Sequence, residues 1–444
     1  MTILLVSVAQ FLIALDYSIV YLALPSIAAQ LHVGPAVAQW AVSAYAVPFA
    51  GFLIVGGRLA DRFGPARMFV VSVSLFGLAS GAGAAAGTGA VLVSARGAQG
   101  FAAALLQPAV LGLIGTRFPA GPARSRALGV WAATGAAGLA AGALLGGLLT
   151  AASWRLTFLV NVVPALLCAA GAAAGSRTAE PDGAGTRPVP LLAAGLCTVS
   201  VLALVLFLTF GGARGWTDPA ALACLLLAVA AGGWFARNEA VSGSVLIEPA
   251  LRGDRSVRAG SAAAALYMAS AGSEFYVLTL LLQTMRHYSP LRAGLAFLPL
   301  AVMVTVGSTA AGRAVRNLAP HAVLTAGFGV TLAGLAWLAV AVRDGSYLAG
   351  LLPGLLLSGA GNGVVYTVMF IIGGRDAPEA HQGTAGALLT TAQYLAGAVT
   401  LALVTLLIGQ PRNVPGFTDA FVLLAASAAG GGALGIRGRL RRGR

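Results

Sequence analysis

The chain has 444 residues, of which 58% are hydrophobic and 9% are charged, and its formal net charge is +14. A soluble domain has roughly 25% charged residues, so this composition and a mean hydropathy of +0.89 exclude a water-soluble globular fold. The same figures exclude a disordered chain, a collagen and a coiled coil, because each of these needs polarity or a short repeat.

The apolar segments favour helices over a transmembrane β-barrel. Barrel strands alternate apolar and polar residues over about 10 positions, whereas the apolar runs here continue for about 20. The sequence therefore predicts an all-α polytopic membrane protein with fourteen spans. In chain order, the predicted spans cover approximately residues 3–27, 37–57, 68–88, 90–116, 128–151, 157–175, 190–211, 219–236, 259–282, 293–312, 321–342, 347–372, 384–409 and 418–436.

The basic residues predict the orientation in the membrane. All 27 are arginine, and with a cytoplasmic N terminus twenty of them lie in cytoplasmic loops or in the C-terminal tail, against six in outer loops. Loops rich in arginine stay on the cytoplasmic side. We therefore expect a multi-pass protein of the bacterial inner membrane, in contact with lipid and with both termini cytoplasmic. Because the arginines are scattered among short loops, no nucleic-acid partner is expected.

Two polar segments divide the predicted spans into groups of six, two and six. Residues 176–190 are rich in proline and glycine, and the apolar residues 245–247 within 237–258 predict a short helix on the inner leaflet. The predicted domains are an N-terminal six-helix bundle, two linker spans with flanking cytoplasmic loops, and a C-terminal six-helix bundle with a basic tail, covering residues 1–175, 176–258 and 259–444.

The two halves also repeat a short sequence. GRLADRFGP at 57–65 and GRAVRNLAP at 312–320 each follow the second span of a half, and their glycine, arginine and proline coincide. Parallel repeats are typical of transporters in which two bundles surround a site near the middle of the membrane.

Three ionisable side chains lie well inside predicted spans, namely Asp16, Arg96 and Glu274. A charge at the bilayer centre costs about 2.5–3.5 kcal/mol, so such residues usually face a cavity or one another. These three are the candidates for proton coupling. Two alternatives stay open: a structural ion pair for Asp16 and Arg96, and a protonated packing carboxyl for Glu274.

Helical spacing adds candidates for a substrate cavity. Arg96 and Gln107 are three turns apart on one face of span four, and Tyr267, Ser270 and Glu274 share a face of span nine. Packing between helices remains the alternative for each candidate. The residues that we expect to contact substrate are Tyr45, Gln99, Gln107, Tyr267, Tyr276, Asn362 and Tyr366.

No cofactor is expected. Cys168, Cys197 and Cys224 lie within apolar runs, and the four histidines lie at span ends or in loops, so neither a disulfide nor a metal site is predicted. No phosphate-binding loop is present, which disfavours ATP-driven transport. No nucleophile and base occur together within the spans, so we expect no enzyme activity, although a non-transporting sensor or enzyme stays an alternative.

Loop 2–3 and span one carry family motifs. Loop 2–3 reads GGRLADRFGPAR over 56–67 and is similar to G-x-L-A-D-R-x-G-R-[KR]-[KR], with Pro65 and Ala66 in place of two basic residues. Span one reads LDYSIVYLALP over 15–25, which resembles L-D-x-T-[IV]-V-N-V-A-L-P, with Tyr21 in place of asparagine.

More motifs follow in the expected order. RGAQGFAAA at 96–104 resembles R-x-x-Q-G-x-G-x-A, and GLAAGALLGG at 138–147 resembles G-x-x-x-G-P-x-x-G-G, with Ala143 in place of proline. WRLTFLVNVVP at 154–164 and QTMRHYSPLRAGLAFLP at 283–299 resemble further stretches. By these motifs the chain resembles the major facilitator superfamily, and within it the fourteen-span drug:proton antiporter family.

The resemblance implies a function and a set of residues. It implies a monomeric secondary transporter that exports small hydrophobic or cationic organic compounds, such as drugs or antibiotics, in exchange for protons by alternating access. A proton-coupled importer of a small organic molecule stays an alternative. The implied antiporter-motif residues, which would let a neighbouring helix approach closely, are Gly138, Gly142, Gly146 and Gly147.

The loop motif implies a gate at the cytoplasmic mouth. Asp61 and nearby arginines would form a charge-paired latch, and the glycines would allow the tight turn between spans. The implied gating residues are Gly57, Asp61, Arg62, Gly64 and Arg67.

The predicted orientation can be tested with single cysteines in a variant that lacks the three natural ones. A membrane-impermeant thiol reagent added to intact cells should miss Ala184→Cys, because the arginine bias places 176–190 in the cytoplasm. Thr217→Cys, in a predicted outer loop, should react under the same conditions and serves as the matched control. Strong labelling of Ala184→Cys would contradict the fourteen-span topology.

Overall fold

The computed structural model describes residues 2–33, 35–176, 190–241, 245–343, 346–378, 381–408 and 414–440. Most of the predicted 176–190 linker therefore lies outside the described residues. The described chain is helical, with α1 to α16 at Thr2–Leu31, Pro35–Phe63, Pro65–Ala84, Gly89–Arg117, Pro122–Ala152, Leu156–Ser176, Leu191–Arg214, Pro219–Val241, Pro249–Arg252, Arg255–Tyr267, Ser273–Leu280, Pro290–Ala314, Pro320–Ala341, Leu352–Gly373, Gln382–Ile408 and Val414–Leu440.

The helices confirm the predicted class of membrane protein. Within the described residues, thirteen helices are long and apolar enough to cross a membrane, or fourteen if the two bent segments of α5 form one span. Those segments are Pro122–Leu139 and Leu144–Ala152. With α5 counted as one span, the number equals the fourteen predicted.

The chain forms two compact units. Unit 1 contains residues 1–117, 141–254 and 377–391, and unit 2 contains residues 118–140, 255–376 and 392–444. Helices α5 and α15 therefore each contribute residues to both units. The domain boundaries expected from sequence, at 175 and 258, stay a prediction.

An apolar cluster around Trp154 fixes α6 in unit 1. The Trp154 and Phe158 side chains are fully buried, and they pack with Ile19 and Ile27 of α1. The indole nitrogen of Trp154 donates a hydrogen bond of 2.8 Å to the side-chain oxygen of Gln30. This partner removes the cost of burying the indole N–H group.

Residues 245–254, which we call the strap, run from α8 to the start of α10. The Glu239 carboxylate on α8 accepts hydrogen bonds from the backbone nitrogens of Leu246 (2.6 Å) and Ile247 (3.2 Å) and forms an ion pair with Arg252. Between these contacts, Glu248 lies 3.0 Å from the guanidinium group of Arg58 on α2. Buried carboxylates thus attach the strap to unit 1 at two places.

The strap corrects the predicted surface helix on the inner leaflet. Leu246 is fully buried against Ile54 of α2 and Ala193 and Cys197 of α7. The helical part is only the four residues of α9. The prediction was wrong because Leu246 and Ile247 pack against helices of unit 1 and not against lipid.

The ion pair between Arg58 and Glu248 should contribute to stability. Its side chains are each 8% exposed, and removing one partner of a buried pair costs roughly 3–5 kcal/mol because the other charge is left unpaired. Glu248→Ala should therefore lower the thermal unfolding midpoint of the purified protein in detergent. The double change of Arg58→Met with Glu248→Met should recover most of the loss.

The exposed pair of Arg375 and Asp376 provides the control. Its side chains are 48% and 54% exposed and 3.8 Å apart. Exposed pairs contribute about 0–1 kcal/mol, so Arg375→Gln should leave the midpoint nearly unchanged. Equal midpoints for Glu248→Ala and Arg375→Gln would show that the strap is not held in this way.

Candidate functional site

Asp16 is the centre of a polar network in unit 1. Its carboxylate is fully buried and accepts hydrogen bonds from Arg96 (2.6 Å), Gln99 (3.0 Å) and Asn161 (2.9 Å). The three donors come from α4 and α6, and Asp16 comes from α1. The network therefore joins three helices around one negative charge.

Arg96 balances that charge and is itself fully paired. Its Nε donates to the backbone oxygen of Ala41 (2.9 Å), and its Nη1 donates to Asp16 and to Gln99 (3.0 Å). The guanidinium carbon lies 4.5 Å from the centre of the Tyr45 ring, within the range of a cation–π contact. The structure thus pairs two of the three candidate coupling residues.

Two members of the network were not predicted. Asn161 lies in a family stretch without having been singled out, and Ser80 of α3 accepts a hydrogen bond of 2.8 Å from Gln99. A search for buried amides, and not only for charges, would have found Asn161. Gln99 links Asp16 and Ser80, and its role as a substrate contact stays a prediction.

Glu274 occupies a different environment in unit 2. Its carboxyl group is 1% exposed and accepts hydrogen bonds from Ser358 (2.5 Å) and Asn362 (2.9 Å) of α14. Thr331 of α13 donates to the Asn362 side-chain oxygen (3.1 Å) and so orients the amide. Among the described residues, no arginine or histidine side chain pairs with Glu274.

The helix that carries Glu274 is irregular. A π-helical turn at Met268–Gly272 precedes α11, and another at Leu281–Met285 follows it. Such turns occur frequently at functional sites. Ser270, predicted to share the face of Glu274, lies in the first π-helical turn, and its hydroxyl donates to the backbone oxygen of Leu266 (2.9 Å). The regular face predicted for this span is therefore interrupted.

Aromatic side chains lie on α14 beyond Asn362. Tyr366 contacts Tyr267, with ring centres 5.3 Å apart, and stacks on Trp131 of α5 at 5.5 Å and an angle of 14°. The Trp131 ring also meets Phe370 edge to face at 5.0 Å. The structure thus brings the predicted Tyr267, Asn362 and Tyr366 to one side of α14 and adds Trp131, which was not predicted.

The remaining predicted substrate contacts, Tyr45, Gln107 and Tyr276, do not lie in the aromatic group on α14. Tyr45 is buried beneath Arg96 and stacks on Phe49. Gln107 is 4% exposed, and its side-chain oxygen has no partner among the described residues. In that part of the chain, no hydrogen bond or ring contact joins Gln107 or Tyr276 to either network.

The Asp61 carboxylate binds the start of a helix. Its two carboxylate oxygens accept hydrogen bonds from the backbone nitrogens of Gly383 (2.9 Å) and Thr384 (3.0 Å), in the first turn of α15. These nitrogens have no partner within the helix, and the helix dipole favours a negative charge there. The motif did not predict these two backbone donors, and the charge-paired latch with arginines stays a prediction. The nearby Arg58 pairs with Glu248.

The other gating candidates lie in different environments. A Cβ atom at Gly57 would lie 2.7 Å from the Ala387 side chain, so only glycine lets α2 approach α15 so closely. Gly64 has a φ of 87° and makes the turn between α2 and α3. The guanidinium carbon of Arg62 lies 5.1 Å from the centre of the Phe63 ring, and Arg67 is exposed.

One glycine of the α5 motif is in close contact with α1. A Cβ atom at Gly142 would lie 2.7 Å from the backbone oxygen of Leu15 and would also collide with the Ser18 hydroxyl. Gly138 and Gly146 are buried, and Gly147 is partly buried. The close approach keeps α5 against the helix that carries Asp16.

The sequence was compared with families of known proteins. A model described as Major Facilitator Superfamily matches residues 6–401. The chain belongs to the major facilitator superfamily. It is therefore a multi-pass membrane protein and a transporter of small molecules rather than an enzyme.

Similar superfamily members include proteins named for antibiotic export or resistance. A cephamycin export protein from Amycolatopsis lactamdurans is 36% identical, with 94% of this chain and 88% of the relative covered. A puromycin resistance protein from Streptomyces alboniger is also 36% identical (89% and 79% covered). A tetracenomycin C resistance and export protein from Streptomyces glaucescens is 32% identical (92% and 76% covered).

Solved structures share the superfamily fold. The proton:xylose symporter XylE matches 96% of this chain and 94% of its own with a TM-score of 0.68. The human organic anion transporter MFSD10 matches 96% and 98% with a TM-score of 0.69. At 16% identity, each of these likenesses concerns the fold alone.

The contact of Asp61 with α15 predicts a specific defect. Asp61→Asn removes the charge and turns amide hydrogens toward the α15 nitrogens. Hydrogen bonds to a charged group contribute about 1.5–3 kcal/mol, so we expect a maximal transport rate about tenfold lower with little change in equilibrium binding.

Asp218→Asn is the matched control. Asp218 also caps a helix, accepting hydrogen bonds from the backbone nitrogens of Ala220 (2.9 Å) and Ala221 (3.2 Å), but it does so on α8. Its maximal rate should stay near that of the wild type. An Asp61→Asn protein that binds poorly yet turns over normally at saturation would contradict a gating role.

Proposed function

We propose that this protein exports small apolar or cationic organic compounds, of the size of antibiotics, in exchange for protons. It would do so by alternating access, as a monomer in the bacterial inner membrane with both termini cytoplasmic. The printed names of the relatives support an exported antibiotic as substrate. The arginine distribution supports the orientation.

The observation that carries the proposal is the environment of Glu274. A buried carboxyl without a cation partner is expensive as an anion in a membrane protein, so such a residue is a candidate for function. Ser358 can donate a hydrogen bond to the carboxylate and can accept one from the protonated acid, because a hydroxyl is both donor and acceptor. The site is therefore chemically suited to both protonation states.

Asp16 is suited to one state only. Its partner Arg96 is a donor with no acceptor, and it stays charged in proteins. Protonation of Asp16 would leave that buried guanidinium uncompensated, which is costly. We therefore assign proton loading to Glu274, and assign to Asp16 and Arg96 the holding of α1, α4 and α6 in one arrangement.

Loading and release at Glu274 would drive the cycle. A proton that neutralises this carboxyl changes the relative free energy of the two access states, which is what coupling requires. The ionised carboxyl would attract a cationic substrate, and the rings of Tyr267 and Tyr366 would supply apolar and cation–π contacts. Substrate and proton would then compete for one charge, as exchange demands.

The test measures transport in inverted vesicles from a bacterial host that lacks its main efflux pumps. With an imposed proton gradient, the wild type should accumulate puromycin and ethidium, since an exporter faces inward there. Glu274→Gln, which keeps the shape but cannot ionise, should abolish gradient-driven accumulation while the protein remains in the membrane. Arg96→Ala should abolish it too, because Asp16 loses its counter-charge.

Two buried serines that form hydrogen bonds at α14, Ser358 on α14 itself and Ser308 on α12, give the matched control. Ser358→Ala removes the Glu274 partner and should impair accumulation, whereas Ser308→Ala removes an equally buried hydroxyl that donates to the Gly363 backbone and should not. Export of both probes by Glu274→Gln at the wild-type rate and pH dependence would reduce Glu274 to a packing residue. Gradient-driven loss of probe from the vesicles would favour the importer.

A further inference from the structure

We infer that Trp131 is a positioning residue that seals the Glu274 site toward the C-terminal end of α14 and so prevents protons from leaking through the protein. The inference rests on the proposed function, because it gives Glu274 the proton. It concerns unit 2 alone, which contains both residues.

The first step is the position of the aromatic group relative to Glu274. Asn362, which binds Glu274, is followed on the same helix face by Tyr366 and Phe370, at spacings of four residues. The rise of a helix places Tyr366 about 6 Å and Phe370 about 12 Å from Asn362 along the axis. The aromatic residues therefore lie between Glu274 and the end of α14 at Gly373.

The second step is the contribution of Trp131. Its side chain is fully buried, with one face on Tyr366 and an edge contact with Phe370. The Tyr366 ring also contacts the ring of Tyr267, which lies seven residues before Glu274. Rings from α5, α10 and α14 thus fill the space that a file of water molecules would need to reach Glu274 from this end.

The third step is the indole nitrogen. Buried tryptophan N–H groups usually find a hydrogen-bond partner, but that of Trp131 has none among the described residues. Leaving a buried donor unpaired costs about 1–3 kcal/mol. Ring packing therefore holds Trp131 in place despite the cost of its unpaired N–H group. This cost lowers the free energy needed to move the ring, as a seal that opens requires.

The charges around Glu274 make a seal necessary. The nearby titratable side chains are Tyr276 on the same helix, α11, and Tyr267 at the end of α10. The partners from α14 are the neutral Ser358 and Asn362. No cation on the described part of unit 2 pairs with Glu274 and would repel an arriving proton. Access is then controlled by packing, and a carrier reachable from both sides at once would dissipate the gradient.

The test is passive proton entry into proteoliposomes that contain purified protein and an internal pH dye. No substrate is needed, because the proton is the probe. After outside acidification, with potassium and valinomycin to cancel the membrane potential, Trp131→Ala should admit protons at least several-fold faster than the wild type. Trp131→Phe, which keeps an aromatic ring, should remain close to the wild type.

A double change separates a leak through Glu274 from a damaged protein. The leak of Trp131→Ala should disappear when Glu274→Gln is added. Trp154→Ala removes an equally buried tryptophan from unit 1 and should not leak. Should Trp131→Ala fail to fold, Trp131→Leu keeps apolar volume without the stacked ring and is expected to leak likewise.

The outcomes distinguish the seal from the proposed function. Wild-type proton entry in Trp131→Ala and Trp131→Leu, or a leak that persists with Glu274→Gln, would overturn the seal. If Glu274→Gln uncouples export and Trp131→Ala does not leak, only the seal fails. If Glu274→Gln still exports with wild-type pH dependence, the proposed proton role fails.

Discussion

The cost of placing charge among apolar helices governs this structure. In water an unpaired carboxylate is unremarkable, but in a bilayer every ionised group needs a partner, a proton or a route to solvent. Asp16 has Arg96 and two amides as partners, and Asp61 has the first backbone nitrogens of α15. The positions of α1, α2, α4 and the start of α15 follow from where these charges can be satisfied.

The two units stabilise a buried carboxyl group in different ways. In unit 1 the buried negative charge of Asp16 is matched by the positive charge of Arg96, and the pair joins α1 to α4. In unit 2 the described residues around Glu274 offer hydroxyl and amide groups, which tolerate a neutral or an ionised acid. One network thus suits a fixed joint, and the other suits a group that changes its charge.

Much of the fold and part of the site could be predicted from the sequence. Long apolar runs and charges within them are visible in one dimension, which is why the span class, Asp16, Arg96 and Glu274 were found. Some of the partners were not, because Asn161 and Trp131 look like ordinary span residues until helices distant in sequence meet. Asp61 was found but its backbone partners were not, since a backbone nitrogen at a helix start leaves no mark in a motif.

The strap has a mechanical consequence within unit 1. The Glu239 carboxylate of α8 holds the backbone of Leu246 and Ile247, and Arg58 of α2 holds the next residue, Glu248. A residue spans at most about 3.6 Å, so no slack chain separates the two attachments. A displacement of α8 along α2 would therefore have to break the ion pair or the two backbone hydrogen bonds.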